Sequence, residues 1–385
     1  MHDFDGYHRP DGSVGVRNHL LVLSLGGLTG PTARRVGSLL AGAVTVAMPY
    51  GSGLLSEDRA VFVAALMRLP AHPNVGATVL IGDNPPLMEQ VAAAAERTGK
   101  PCAAFTLDAC GHDALTLTDR ALRAGAALAR QISGCRRTSA PLSALTVGLE
   151  CGRSDPSSGL VANPLLGLVA DRMVDAGGRA MIGETTEWLG AEHLLERRAT
   201  TPEVAAAIHA AALRREQAAI AAGIDLTGNN PGPTNIAAGL SSIEEKSLGN
   251  IAKSGHRPIV GVLGYGQPPP QPGMWVMDAP AYAPESLTGF VMAGAQVLLF
   301  TTGVGNSYVS ALAPTLKLSA NPVTCAALAQ QLDFDASSVF RGNEGPEQAA
   351  DRLLAALLET ASGQATWGEI LGEGSEIVSR FGAAL

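Results

Sequence analysis

The sequence predicts an α/β protein of two domains, each a mainly parallel sheet flanked by helices. Three observations carry that reading. Its apolar runs are continuous rather than alternating, as in strands covered on both faces. Amphipathic stretches of helical length lie between them, the order expected of a parallel sheet with crossover helices. A polar, turn-rich and aperiodic stretch at 133–143 then divides the chain into domains of 1–137 and 138–385. A length of 385 residues suits two such units.

In the first domain, strands are expected at 20–25, 43–48, 77–82 and 101–105, and helices near 30–41, 57–69, 86–98 and 113–132. Gly26-Gly27-Leu28-Thr29-Gly30 follows the first strand as a tight strand–helix turn. It has neither the G-x-G-x-x-G order nor a P-loop Gly-Lys-Ser/Thr, so it is not read as a nucleotide site. Asp113, after Cys110-Gly111-His112, reads as a helix cap. In the second domain, strands are expected at 145–150, 179–183, 259–264, 297–301 and 315–318. Helices are expected at 160–176, 190–198, 202–222, 241–254, 285–294, 322–331 and 346–361. The Gly-, Asn- and Pro-rich loop at 223–239 is long enough to be functional.

Composition narrows the function. A formal net charge of −8 argues against nucleic acid and against an anionic membrane surface. No apolar run reaches membrane-spanning length, and the N-terminus has no signal-peptide pattern. The five Cys form no C-x-x-C, which points to a reducing cytoplasm rather than to disulfides or structural zinc.

Polar residues gather where strands end. Glu150-Cys151-Gly152-Arg153-Ser154-Asp155, Glu184-Thr185-Thr186-Glu187, Gly264-Tyr265-Gly266-Gln267, Thr301 to Ser307 and Ser319-Ala320-Asn321 each follow an expected strand. In an open parallel sheet such ends converge on one crevice. Glu150, Asp155 and Glu184 are the candidate metal ligands, because carboxylate oxygens suit a hard divalent cation such as Mg²⁺ or Mn²⁺. Cys151 and His193 would shift the choice toward Fe²⁺. Lys246, His193 and Glu187 are the acid/base candidates. Arg153, Asn163, Asn235, Thr302 and Asn306 are the candidate substrate-binding residues. The plainer alternatives are a helix cap for Asp155, solvated surface for Glu187 and Lys246, and a structural role for His193. The amides of Asn229 to Asn235 lead to Ser241-x-x-Glu244, which reads as a capping box whose helix N-terminus faces the same space.

These segments, in this order, resemble the large domain of the altronate/galactarate dehydratase family, whose relatives include the large subunit of sulfolactate sulfo-lyase. The resemblance lies in Gly6-Tyr7-His8-Arg9-Pro10-Asp11-Gly12-Ser13-Val14-Gly15-Val16-Arg17-Asn18, Gly148-Leu149-Glu150-Cys151-Gly152-Arg153-Ser154-Asp155 and Ser158 to Pro164. It continues in Gly190-Ala191-Glu192-His193-Leu194-Leu195, Ile243 to Gly249, Phe300-Thr301-Thr302-Gly303 and Leu332 to Ala336. It implies a first domain used in homodimer contacts and a Rossmann-like second domain with a site for iron or another divalent cation. It also implies elimination from a small anionic hydroxy acid. The chain departs from the family pattern at Gly27, Ser52 and Asp83, where relatives carry Cys, and at Arg153, Val304 and Thr234. The family's small β-rich domain is absent, so a small β-rich partner subunit is expected.

The expected reaction removes a proton α to a carboxylate and expels water from a sugar acid such as altronate or galactarate. Expulsion of sulfite from sulfolactate is the alternative. A non-catalytic scaffold subunit is the third possibility, opposed by the presence together of Glu150, Cys151, Asp155, Asn163, His193 and Lys246.

Overall fold

The computed structural model describes residues 3–226 and 231–380. The chain opens with β1 (Asp3–His8) and β2 (Val14–Gly15), which pair antiparallel. Then follow β3 (His19–Ser24), α1 (Gly30–Leu39), β4 (Ala43–Ala47), α2 (Ser56–Ala71), β5 (Val75–Gly82), α3 (Pro85–Glu96), β6 (Cys102–Thr106) and α4 (Ala114–Ile132). The strands form a parallel sheet in the order β4-β3-β5-β6. Every residue of β5 is buried, which explains its unbroken apolar sequence. Asp113 caps α4 by accepting from the N–H groups of Leu115 and Thr116.

The aperiodic stretch at 133–143 holds a strand that the pattern did not show. β7 (Thr138–Pro141) pairs antiparallel with β1, so the start of the chain is tied to its middle. Edge strands carry polar residues on their open side, which hides them in a hydrophobicity reading.

The second half runs through β8 (Thr146–Cys151), α5 (Asn163–Asp175), β9 (Arg179–Ile182), α6 (Glu192–Glu196), α7 (Pro202–Ala221), α8 (Pro233–Ala237), α9 (Ile243–Ile251) and β10 (Ile259–Leu263). It continues with β11 (Gly273–Met277), α10 (Ala283–Met292), β12 (Val297–Thr301), β13 (Thr315–Ser319), α11 (Pro322–Ala327), β14 (Phe334–Asp335), α12 (Ser337–Phe340), α13 (Pro346–Ala361) and α14 (Trp367–Leu371). The seven strands are parallel throughout, in the order β10-β11-β9-β8-β12-β13-β14. From β8 the chain moves to one side through β9, then returns to the other side through β12. The β8–β12 junction is therefore the topological switch point, where such sheets leave a crevice beyond the carboxyl ends. Neither β11 nor β14 was expected. The first begins at Gly273, directly after Pro268-Pro269-Pro270-Gln271-Pro272, which reads as loop. The expected capping box is not formed: Ser242, not Ser241, caps α9 by accepting from Glu245 N–H at 3.2 Å, and the Glu245 carboxylate accepts from Ser241 N–H. Of the loop 223–239, residues 233–237 are helical and Asn229 and Asn230 lie outside the described residues. Among the described residues, no helix is long and apolar enough to cross a membrane.

One apolar core joins the two sheets: Leu21, Leu23, Phe62 and Leu66 pack in the same cluster as Met181, Trp275, Phe290 and Leu298. Two fully buried amides fix the junction. Asn74 accepts from Val16 N–H at 2.9 Å and donates to the carbonyls of Gln296 and Leu312, each at 2.9 Å. Gln296 donates to the carbonyls of Val14 and Ala144 and accepts from Thr146 N–H. Beside them, burial pushes His72 down to about 3, so it is neutral. Its Nδ1 accepts from Asn74 N–H, which leaves Nε2 to donate to the Ala295 carbonyl.

Asn74→Ala would leave one buried N–H and two buried carbonyls short of a partner. It is expected to destabilise the protein by about 2–4 kcal/mol, read as a lower urea midpoint at unchanged m value. A midpoint equal to that of the wild type would show that the junction does not depend on this amide.

Candidate active site

Beyond the switch point lies a crevice of about 880 Å³. The ends of β8, β9 and β12 line it, as expected, together with Pro280 to Pro284 after the unexpected β11. The cluster after β10 stays outside, because β11 separates that edge strand from the crevice. The cluster after β13 contributes Asn321, which turns to Asp155 rather than to the crevice.

The crevice floor is built on Glu150, the next-to-last residue of β8, whose side chain is 0 % exposed. Lys253 Nζ, equally buried, donates to Glu150 Oε1 at 2.5 Å, and the Ser286 hydroxyl donates to Oε2. Lys253 stands in the single turn that follows α9. Burial alone would depress its ammonium. The surrounding Cys151, Glu150, Glu187 and Glu184 outweigh that and hold it well above the usual lysine range. The neighbouring Cys151 Sγ is 3.5 Å from Lys253 Nζ, 3.4 Å from Asn250 Oδ1 and 3.6 Å from Glu187 Oε2. Burial pushes its thiol up against the pull of Lys253.

Two more carboxylates come from the turn after β9. Glu184 is buried and adopts φ 54°, a left-handed conformation that costs a non-glycine residue about 1–3 kcal/mol. Among the described residues its Oε2 has no hydrogen-bond partner. Burial, then Glu150, Glu187 and Cys151, raise its carboxyl well above the ordinary range, with Lys253 opposing. Glu187, also buried, forms an ion pair with Lys246 of α9. Burial would raise it too, but Lys246 and Lys253 prevail and hold it below the usual carboxylate range. Lys246 is raised despite burial, chiefly by Glu187 and then by Glu184. Two glutamates three residues apart are thus driven in opposite directions by which of them has the lysine.

The expected site residues separate into two groups. Glu150, Glu184, Glu187 and Lys246 come together on the floor. Arg153, Asn235 and Asn306 line the walls. Arg153 is exposed, at φ 53°; its carbonyl accepts from Gly303 N–H, and its guanidinium makes no hydrogen bond or ion pair among the described residues. Asn235 Nδ2 donates to the Ser154 carbonyl at 2.9 Å. Asn306 Nδ2 and Ser154 Oγ are buried without partners among the described residues.

The others are placed elsewhere. Asp155 was expected beside the metal, but its Oδ1 accepts from Ser157 and from both the N–H and hydroxyl of Ser158, and its Oδ2 from Asn321 at 2.7 Å. It organises the turn into the helix that follows. Asn163 bridges Thr301 Oγ1 and the Gly249 carbonyl, away from the crevice surface. The Thr302 hydroxyl accepts from Gly305 N–H and is fully buried. His193 lies exposed on the short α6, outside the crevice lining.

Sequence reasoning missed Lys253, Asn250, Ser286 and Arg215. A signal was present for the first two. Lys246, Asn250 and Lys253 stand at i, i+4 and i+7, one face of a helix. That face meets Glu187 and Cys151. Arg215 on α7 reaches the crevice and is held by Asp278, after β11, through Nε and Nη2 at 3.0 Å.

Ligand atoms of Glu150, Cys151 and Glu184 all lie within 4.8 Å of one another. Two carboxylates and a thiol suit a divalent cation of the Fe²⁺ type better than Mg²⁺, and the orphaned Glu184 Oε2 is an open donor. Glu150 is shared with Lys253, so an ion there would sit beside an ammonium. The donor set is compatible with a divalent metal.

Residues 142–383 match the family model described as D-galactarate/Altronate dehydratase, C-terminal, and residues 6–133 match D-galactarate dehydratase/Altronate hydrolase, second domain. The chain is 34 % identical to (2R)-sulfolactate sulfo-lyase subunit beta of Chromohalobacter salexigens, over 98 % of this chain and 97 % of that protein. It is 30 % identical to altronate dehydratase of Bacillus subtilis, over 94 % of this chain and 74 % of that protein. Galactarate dehydratase (L-threo-forming) of Escherichia coli is 34 % identical over 60 % of this chain and 44 % of that protein. Matched along nearly its whole length, the chain belongs to the D-galactarate/altronate dehydratase family of lyases.

Proposed function

We propose that the crevice catalyses β-elimination from a small 2-hydroxy acid, beginning with removal of the proton α to the carboxylate. The observation that carries this is the Glu187–Lys246 ion pair at the crevice floor. Lys246 keeps Glu187 ionised, so Glu187 is the base that takes the α-proton. Lys246 stays protonated and faces the negative charge that develops on the substrate's carboxylate oxygens. It is also the donor for a departing hydroxide. His193 has no part, because it stands outside the crevice lining.

Glu184, Cys151 and Glu150 would hold a divalent ion, with Fe²⁺ the best match to the donors and Mn²⁺ or Mg²⁺ the alternatives. When bound, it would supply Lewis-acid stabilisation of the enediolate. Lys253 and Ser286 fix the Glu150 carboxylate from both sides, and Asn250 positions Cys151 and the turn at Glu187.

The leaving group in this reading is water, from an acid such as altronate or galactarate. Loss of sulfite from sulfolactate is the second reading. It is favoured by the relative of that name, which matches this chain over 97 % of its own length. That relative is by name a beta subunit, so a second, smaller subunit belongs to the proposal and the assays below include it.

Glu187→Gln should lower kcat by about 10²–10⁴-fold in protein that circular dichroism shows to be folded, with a lower melting temperature because the buried Lys246 loses this carboxylate. A folded variant with wild-type kcat would remove Glu187 from proton transfer. Glu184→Gln should lower the divalent metal content of the freshly purified protein, measured by elemental mass spectrometry. Equal metal content in the two proteins would place the ion elsewhere. Lys246→Met separates the two leaving groups: it should slow loss of water far more than loss of sulfite, which needs no proton to depart. An equal effect on both would show that Lys246 acts on the enediolate alone.

A further inference from the structure

The crevice holds two guanidinium groups that the elimination itself does not use, and they stand on different walls. Arg153 follows β8, and its guanidinium has no partner among the described residues. It occupies a left-handed backbone position that a glycine would take without strain. Arg215 is anchored beyond β11 by Asp278. Asp278 also binds Arg214 at 2.9 Å and accepts from the Thr185 hydroxyl at 2.9 Å. One carboxylate thus faces two guanidiniums, and one positive charge is left over at that wall. Arg215 Nη1 has no bond among the described residues.

Between these walls runs β9, and after it come Glu184 and Glu187. Neighbouring strands lie about 4.8 Å apart, so the ends of β8 and β11 are about 10 Å apart with the proposed base between them. The arrangement across the crevice is cation, acid, cation. Beside Arg153, Ser154 Oγ is a buried polar atom without a partner among the described residues, and Asn306 Nδ2 is another on the crevice lining. Both can donate to an oxyanion.

We infer that the substrate is a short-chain dianion, with its reacting carbon between two anionic groups, one read by Arg153 and the other by Arg215. This rests on the elimination proposed above and adds the substrate class. The Arg153 guanidinium can bind a carboxylate or a sulfonate through two parallel N–H donors. Arg215 offers Nη1 while Asp278 fixes its plane. An acid with an anionic group at each end, such as galactarate or sulfolactate, meets both uncompensated charges. A monoanion such as altronate leaves one of them unanswered.

Binding of unreactive probes tests this apart from turnover. Calorimetry on the full chain in the presence of Mn²⁺ would compare succinate and 3-sulfopropionate, both dianions, with butyrate, a monoanion. The dianions should bind about tenfold or more tightly than butyrate, the value of one charged contact. Arg153→Gly, which also relieves the backbone, should remove most of that preference, weakening binding of the dianions more than that of butyrate. Arg215→Gln should do the same, with Arg214 and Thr185 still holding Asp278. Arg215→Lys, which keeps the charge but not the fork, serves if the glutamine variant does not fold. Wild-type protein that binds butyrate as tightly as the dianions overturns the inference, as does a preference intact in both variants. A dianion preference in a protein that eliminates from no hydroxy acid leaves the substrate class standing and sinks the reaction. Elimination from altronate as efficient as from galactarate and sulfolactate does the reverse.

Discussion

The site depends on one buried ion pair, Lys253 with Glu150, at the carboxyl end of the strand where the sheet reverses direction. Taking two charges out of water costs several kcal/mol per ion, and their attraction offsets this only when the remaining hydrogen-bond capacity is also filled. Here it is filled by Ser286 on one carboxylate oxygen and by Cys151 N–H on the other. Removing one partner of such a pair typically costs about 3–5 kcal/mol, because the survivor is left charged and dry. The pair therefore commits α9 and its following turn to lie against the strand ends. Lys246, two helical turns before Lys253, is thereby carried to Glu187.

That placement sets the electrostatics of the floor. Three carboxylates share two lysines, and the distribution is uneven. Glu150 has Lys253, Glu187 has Lys246, and Glu184 has no ammonium of its own. The same low-dielectric surroundings that raise Glu184 sharpen the depression of Glu187. Pairs of acids pushed apart by their environments are how one pocket supplies both an ionised base and a group free for a ligand. The backbone reinforces this. Glu184 and Arg153 are both non-glycine residues in the left-handed region, and both stand just past strand ends on the crevice. Strain of that kind persists where surrounding structure over-determines it, and here it turns one side chain into the floor and the other toward the mouth.

The sheet was legible in the sequence because parallel strands buried on both faces are unbroken apolar runs. β3, β5, β8, β9, β12 and β13 were all visible in this way. β11 was not, because five residues behind a proline-rich stretch carry too little pattern, and β7 was not, because an edge strand keeps its polar residues. The carboxylates of the floor were legible since they follow strands directly. Lys253 was hidden inside an ordinary-looking helix end, and only the i, i+4, i+7 stripe with Lys246 and Asn250 marks it. Asp155, Asn163 and Thr302 show the opposite limit. Residue type and position matched the expectation of a site, yet each spends its polar atoms on the turns that build the crevice.

What separates scaffold from site here is whether a buried polar atom already has a partner. Asp155 accepts four hydrogen bonds, Asn163 uses both ends of its amide, and the Thr302 hydroxyl is bound to the loop it stabilises. Each is already committed to the scaffold. Glu184 Oε2, Ser154 Oγ and Asn306 Nδ2 are equally dry but have no partner among the described residues, and all three residues line the same crevice. An unmet buried polar atom costs about 1–3 kcal/mol, more when charged. A fold that carries three of them around one cavity has folding stability to gain when a ligand fills it. Two of the three are uncharged side chains that can donate, placed on the walls, and one is a carboxyl on the floor. Their chemistry divides the crevice as the charges do, with oxyanions received at the walls and a cation or a proton held at the base.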